Sequence, residues 1–245
     1  MNCKHFVLSA VLCLVSPSLV SSENQDSWNF IEEEDGIKVY SKDIKGSPLG
    51  AFKGETVINA PVKRLFNIIS DHKFRGDWVD RLEDIALLQE PTIEIPAAIE
   101  YFKIDMPWPL DDREFITESR AVYNLETGAI KTVSKGTTHS SKPPTEGVVR
   151  GETKSAHLFL NPLPGNKTHI TMDAHADPKG MLPKWVVNFA QRQWPYNTLS
   201  KLRELAESDA KPKDTYSSVV ELEKKKKFYV YSSCRYVLHF RRDAM

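Results

Sequence analysis

The stretch Met106-Pro107-Trp108-Pro109-Leu110-Asp111-Asp112-Arg113-Glu114-Phe115 decides the fold. Two prolines one residue apart cannot continue a strand, because proline fixes its own φ and offers no N–H to a ladder. The stretch therefore reads as a strand ending at Met106, a rigid Pro-x-Pro turn, and a second strand. That second strand opens with Asp111, Asp112, Arg113 and Glu114, which read as one ion cluster at the strand mouth. Trp108, held between the prolines, is expected to form a packed corner, the alternative being a mobile rim residue.

Strands extend in both directions from this turn. Residues 97–106 precede it and 114–123 follow, and 129–138 returns around Leu125-Glu126-Thr127-Gly128. Residues 148–160 and 169–176 form a further pair, joined across Pro162-Leu163-Pro164-Gly165-Asn166. Upstream, 82–89 and 49–58 read as strands, and Trp28 to Tyr40 reads as a hairpin with an Asp35-Gly36 turn. Between them Pro61 opens a helix whose apolar stripe is Val62, Leu65, Phe66 and Ile69, and 71–78 closes that segment. Downstream, Asp177-Pro178-Lys179-Gly180-Met181-Leu182-Pro183 launches a long closing helix marked by Trp185, Val186, Phe189, Tyr196, Leu199, Leu202 and Ala206. Pro195 lies inside that helix, so a kink or restart is expected there. The class is α+β, and a strongly curved antiparallel sheet wrapped on one long C-terminal helix satisfies the pattern.

Composition narrows the function. Lys+Arg and Asp+Glu number 33 each in 245 residues, so no global charge calls for nucleic acid. The distribution is uneven. Residues 209–245 hold nine basic and five acidic residues, net +4, whereas 23–208 hold 23 basic and 28 acidic, net −5. Lys4, the apolar run 6–15 and Val20-Ser21-Ser22 read as a signal peptide cut near Ser22, which implies an exported protein, periplasmic if bacterial and otherwise secreted. The apolar run is about half of the ~20 residues a spanning helix needs. Only Cys234 of the three cysteines lies outside that segment, so the mature chain holds no intramolecular disulfide. The chain divides into 1–22, a body 23–208, and a basic, aromatic tail 209–245 that is either a membrane-surface segment or an added structural element.

Alternation along the strands identifies a lining. In 97–106, Ala98, Glu100, Phe102, Ile104 and Met106 share one face, and the opposite face carries Tyr101, Lys103 and Asp105. In the next strand Phe115, Thr117, Ser119 and Ala121 share the inner face against Glu118 and Arg120. Small, mildly polar inner residues fit a lined cavity better than a solid core. Glu100 then stands among apolar groups and needs a partner, since an unpaired buried carboxylate costs several kcal/mol or protonates. It either meets a ligand headgroup or hydroxyl, or satisfies a backbone group. Met172 lies on the inward face of 169–176. The outward set His169, Thr171, Asp173 and His175 is spread over some ~20 Å at ~3.3 Å per residue, too wide for one metal ion. No metal or other cofactor is expected. Gly-x-Ser-x-Gly, His-Glu-x-x-His, phosphate-loop and Cys-x-x-Cys patterns are absent from the sequence.

Residues 36–40, 71–78, 106–115, 139–150, 177–188 and Pro195 stand, in that order, where the START (StAR-related lipid-transfer) domain family has its characteristic segments, and the chain resembles that family over roughly 28–206. The resemblance implies a helix-grip fold with an internal hydrophobic tunnel for one lipid or sterol, bound without covalent chemistry. It implies that Trp185, Phe189 and Leu199 cover the tunnel, that Gly180 and Pro183 act as a hinge, and that the partner is a transient membrane surface met by a monomer. Some family members pair the acid at the Glu100 position with an arginine on the neighbouring strand; here Ser119 faces inward and Arg120 outward, which places that pairing in doubt. The rival reading is an enzyme of the related helix-grip superfamily, of cyclase or hydrolase type, using Glu100 as acid/base with a histidine nearby. A third is a lipid-gated interaction protein whose tail contacts a partner.

Overall fold

The computed structural model describes residues 28–225 apart from 93, 94, 109, 181 and 183, with the backbone alone for 184–191. The expected signal peptide, Cys234, most of the basic tail, Pro183, and the side chains of Trp185 and Phe189 lie outside the described residues.

The chain runs β1 (Asn29–Glu34), β2 (Ile37–Lys42), β3 (Ala51–Ile58), α1 (Val62–Ser70), α2 (His72–Trp78), β4 (Leu82–Gln89), β5 (Ala98–Ile104) and β6 (Arg113–Tyr123). It continues through β7 (Ile130–Gly136), β8 (Val149–Arg150), β9 (Glu152–Leu163), β10 (Lys167–Asp177) and α3 (Lys184–Glu207). The strands form one sheet in the order β1-β2-β3-β10-β9-β7-β6-β5-β4, antiparallel throughout except that β8 pairs parallel with β6. A curved sheet grips the long C-terminal helix, as the alternation and the closing helix predict.

Turn chemistry sets the hairpins. Asp35 and Gly36 both take left-handed φ, 49° and 70°, as a two-residue turn between twisted strands requires. On the gripping face, α1 inserts Val62, Leu65, Phe66, Ile68 and Ile69 against Ile37, Val39, Ile58, Ile130, Leu160 and Ile170 of the sheet and Leu199, Leu202 and Ala206 of α3. Gly54 permits that approach. A Cβ there would lie 2.7 Å from Leu199 Cδ1 and 2.8 Å from Pro195 Cβ. The helix runs unbroken through Pro195, whose ring rests on β3 at that glycine.

Several local expectations differ from the structure. The segment 71–78 is a second helix, capped by Asp71, whose Oδ1 accepts from the Lys73 N–H at 3.1 Å. The single strand read at 148–160 is two, parted at Gly151, where a Cβ would come within 2.3 Å of the Phe115 ring. Trp108 is not a packed corner: it is 92% exposed. Leu110 N–H donates to Pro107 O at 3.1 Å, and the turn so closed carries the indole away from the sheet.

The four charged residues 111–114 do not form one cluster either, because Arg113 and Glu114 alternate to opposite faces of β6. Asp112 pairs with Lys103 at 3.0 Å and accepts from Met106 N–H. Glu114, fully buried, turns to the convex side. There it accepts from Thr145 N–H (2.9 Å), the Thr145 hydroxyl (2.7 Å), the Tyr101 hydroxyl (3.0 Å) and Arg150 (2.9 Å), which pins the 139–150 loop over the sheet.

The segment assigned to the tail is tied to the body at its start. Arg64 donates to the carbonyls of Ala206, Ser208 and Ala210, and Asn67 Oδ1 accepts from Thr215 N–H and Tyr216 N–H. Tyr216 packs edge-on against Phe66 and Tyr123. Among the described residues, no helix is long and apolar enough to cross a membrane.

Candidate functional site

Register assembles the concave wall. Ala98 stands opposite Ser119, Glu100 opposite Thr117, Phe102 opposite Phe115, and Ile104 opposite Arg113. The next strand adds Ser134 across from Ser119, with the hydroxyls 2.8 Å apart, and Gly136 across from Thr117. Phe102 and Phe115 stack at 5.2 Å between centroids. Five of the sequence-predicted residues, Glu100, Phe102, Phe115, Thr117 and Ser119, are thus neighbours on one patch, with Ile104 at its edge.

Met172 belongs to the other half of the same face, and Leu199 of α3 packs onto that half. Met172 sits opposite Gly54, and Leu199 is fully buried in the core beneath α3. The two halves differ in packing. Ile58, Ile130, Leu160 and Ile170 are closed off from solvent, whereas Ala98, Phe102, Ile104, Ser134, Ala156 and Leu158 point the same way and stay partly accessible. The inward face is therefore closed off from solvent at one end and partly accessible, and largely apolar, at the other.

One carboxylate stands at that partly accessible end. Glu100 Oε1 is 2.7 Å from His72 Nε2 and accepts from Arg75 Nη2 at 3.0 Å, both on α2. The arginine partner is therefore supplied by α2 rather than the neighbouring strand, and Ser119 does face inward as the alternation requires. Burial alone would raise the Glu100 carboxyl, but the Arg75 charge and the His72 bond outweigh it and hold the pKa below its ordinary 4.5. Arg75 in turn lies 5.5 Å over the Trp78 ring.

His72 and Arg75 are the functional candidates that sequence reading missed. The available signal was the Asp71 cap, which starts a helix at 72 and so sets His72 and Arg75 three apart on one of its faces. No group of three or more metal-ligating side chains occurs among the described residues. On the convex side Asp173 meets His157 at 2.8 Å and His175 meets Ser47 at 3.2 Å, so the polar face of β10 is spent in pairs.

Replacing Glu100 by glutamine is expected to cost about 1–3 kcal/mol, between an exposed and a fully buried pair, because Arg75 loses its counter-ion. The pH dependence has a definite sign. A depressed folded pKa stabilises above the unfolded value and is lost as pH falls through the lower folded one. The gap between wild type and Glu100→Gln in urea unfolding should therefore be full near neutrality and narrow below pH 4.5. A gap that widens in acid would contradict the pairing.

The START domain family model matches residues 19–206. An uncharacterized protein of Pseudomonas aeruginosa is 29% identical over 182 residues, covering 74% of this chain and 88% of its own length. The human mitochondrial steroidogenic acute regulatory protein is 26% identical over 189 residues, 76% of this chain but only 65% of that protein. Among solved structures, a STAR-related lipid transfer protein fragment from Xanthomonas axonopodis superposes with a TM-score of 0.65 at 25% identity, over 75% of this chain and all of that one. The human StAR-related lipid transfer protein 5 gives 0.68 at 20% identity, over 76% and 88%.

Proposed function

Because the chain belongs to the START domain family, we propose that it binds one lipid or sterol-like molecule noncovalently between the concave sheet and α3, and carries it between membrane surfaces. The observation that supports this reading most is the contrast within one sheet face. Side chains that point inward beside a closed core remain partly accessible at Ala98, Phe102, Ile104 and Ser134, next to the buried Phe115 and Thr117. Burying each methylene of a ligand there is worth about 0.8 kcal/mol, so a chain of about twelve carbons gains roughly 10 kcal/mol before costs. The ligand carries one small polar end. Glu100, with His72 and Arg75 bonded to it, supplies polar groups at the wall, beside the hydroxyls of Thr117, Ser119 and Ser134.

The rival reading is supported by the His72–Glu100 contact, which is an acid/base pair at hydrogen-bonding distance at the wall. Two things weigh against it. Arg75 shares the same carboxylate oxygen, and a carboxyl held below 4.5 is a poor base near neutrality. Glu100→Gln separates the readings, since a carrier keeps its cargo whereas such an enzyme loses turnover by orders of magnitude. The chain is proposed to work as an exported monomer; N-terminal sequencing of the mature protein tests the export and light scattering of the purified protein tests the monomer.

Release of an apolar cargo needs contact with a membrane, and Trp108 is placed to make it. An indole at an exposed turn apex suits the bilayer interface. Trp108→Ala should slow transfer of a fluorescent lipid between vesicles about tenfold, the effect of losing ~1.4 kcal/mol of docking energy. Affinity for the same lipid in solution should not change. An unchanged transfer rate would remove Trp108 from the account.

A further inference from the structure

Arg113 begins β6 on the concave face, opposite Ile104, and is only 3% exposed. A guanidinium so buried ordinarily meets a carboxylate. Among the described residues no acid comes within ion-pair distance of it: Asp112 pairs with Lys103, Glu114 with Arg150 on the far face and Asp177 with Lys179, and Asp111 acts on it only as a nearby charge. Arg113 instead donates to three backbone carbonyls, Nη1 to Asp111 O, Nε to Pro178 O at 3.4 Å and Nη2 to Lys179 O at 3.4 Å.

These acceptors belong to two loops far apart in sequence. Asp111 closes the turn that carries Trp108, while Pro178 and Lys179 lead from β10 toward α3. The second loop is shaped to the guanidinium. Lys179 and Gly180 both take left-handed φ, 54° and 73°, and a Cβ at Gly180 would lie 3.3 Å from Arg113 Nη2. Asp112 steadies the first loop, since its carboxylate holds Met106 N–H and its carbonyl accepts from Val149 N–H at 3.0 Å. One planar, always-charged fork thus spans a gap that no backbone pairing crosses among the described residues, and lysine with its single nitrogen cannot reproduce it.

We propose that Arg113 is a positioning residue that latches the Trp108 turn to the segment before α3, and so sets the rate at which cargo enters and leaves. The inference rests on the carrier reading for its consequence, though the latch itself is a property of the free protein. A latch that never touches cargo stabilises the closed protein with and without it. Breaking the latch therefore raises entry and exit by the same factor and leaves Kd unchanged. A residue with a merely structural role would alter Kd or the fold instead.

The test is hydrogen–deuterium exchange of wild type, Arg113→Lys and Arg113→Met, paired with stopped-flow binding of dansyl-undecanoic acid. In Arg113→Met the hydrogen-bonded amides of Leu110, in the first loop, and Lys179, in the second, should lose protection together. Both probe rates should rise about tenfold at constant Kd, with Arg113→Lys between the two. Deprotection of one loop alone, or of neither, overturns the latch. So does a changed Kd, or rates that do not move. If wild type takes up no probe, the carrier reading fails, while the exchange data still decide whether the loops are coupled. If Arg113→Met does not fold, Arg113→Lys carries the same comparison with a smaller shift.

Discussion

Replacing Glu114 by alanine is expected to lower the free energy of unfolding by about 3–5 kcal/mol, the cost of breaking a buried charge pair and orphaning its partners. Few side chains in the fold are so completely committed. The carboxylate is fully buried and takes two bonds from Thr145, one from Tyr101 and one from Arg150. Burial would raise its pKa, but those four donors outweigh burial and hold it below 4.5, so the ionised form is the one the fold is built around. Without it, Thr145 N–H and the Tyr101 hydroxyl lose an acceptor and Arg150 keeps only the Lys142 carbonyl, while the 139–150 segment is still held by the β8 pairing and by Lys142 over the Tyr101 ring. Urea unfolding of the variant measures the loss. A change below 1 kcal/mol would mean that the loop is held from elsewhere.

The second large effect lies where helix meets sheet. Leu199→Ala should cost about 2–5 kcal/mol, because a fully buried leucine leaves both lost transfer energy and a cavity. Gly54→Ala should cost about 1–3 kcal/mol by overpacking, since its Cβ would meet Leu199 Cδ1 at 2.7 Å and Pro195 Cβ at 2.8 Å. The two are coupled. Removing the leucine methyls opens room for the new Cβ, so the double variant should lose less than the two singles combined. Additive losses would show that α3 does not rest on β3 at this point.

Sequence and structure agree most where period and punctuation act locally. Alternation placed Glu100, Phe102, Phe115, Thr117 and Ser119 on one wall, because register in an antiparallel sheet keeps one face together whatever the strand order. The Asp35-Gly36 turn and the stripe of α1 were legible for the same reason. Three features were not. Trp108 looked packed because prolines rigidify a turn, but rigidity does not say which way its apex points. Arg113 and Glu114 looked like one cluster by adjacency, yet a strand sends neighbours to opposite faces. The partner of Glu100 came from α2, a helix of seven residues that carries little periodic signal and is announced chiefly by its Asp71 cap. Long-range pairing of this kind depends on how elements dock, which no local pattern encodes.

The central claim is that one apolar molecule binds between the sheet and α3. Native mass spectrometry of the protein, purified without detergent from its own host and followed by organic extraction, tests it most directly. The account predicts a stoichiometric one-to-one adduct that extraction identifies as a lipid or sterol-like species. A bare protein mass, with no uptake from mixed liposomes, would contradict it.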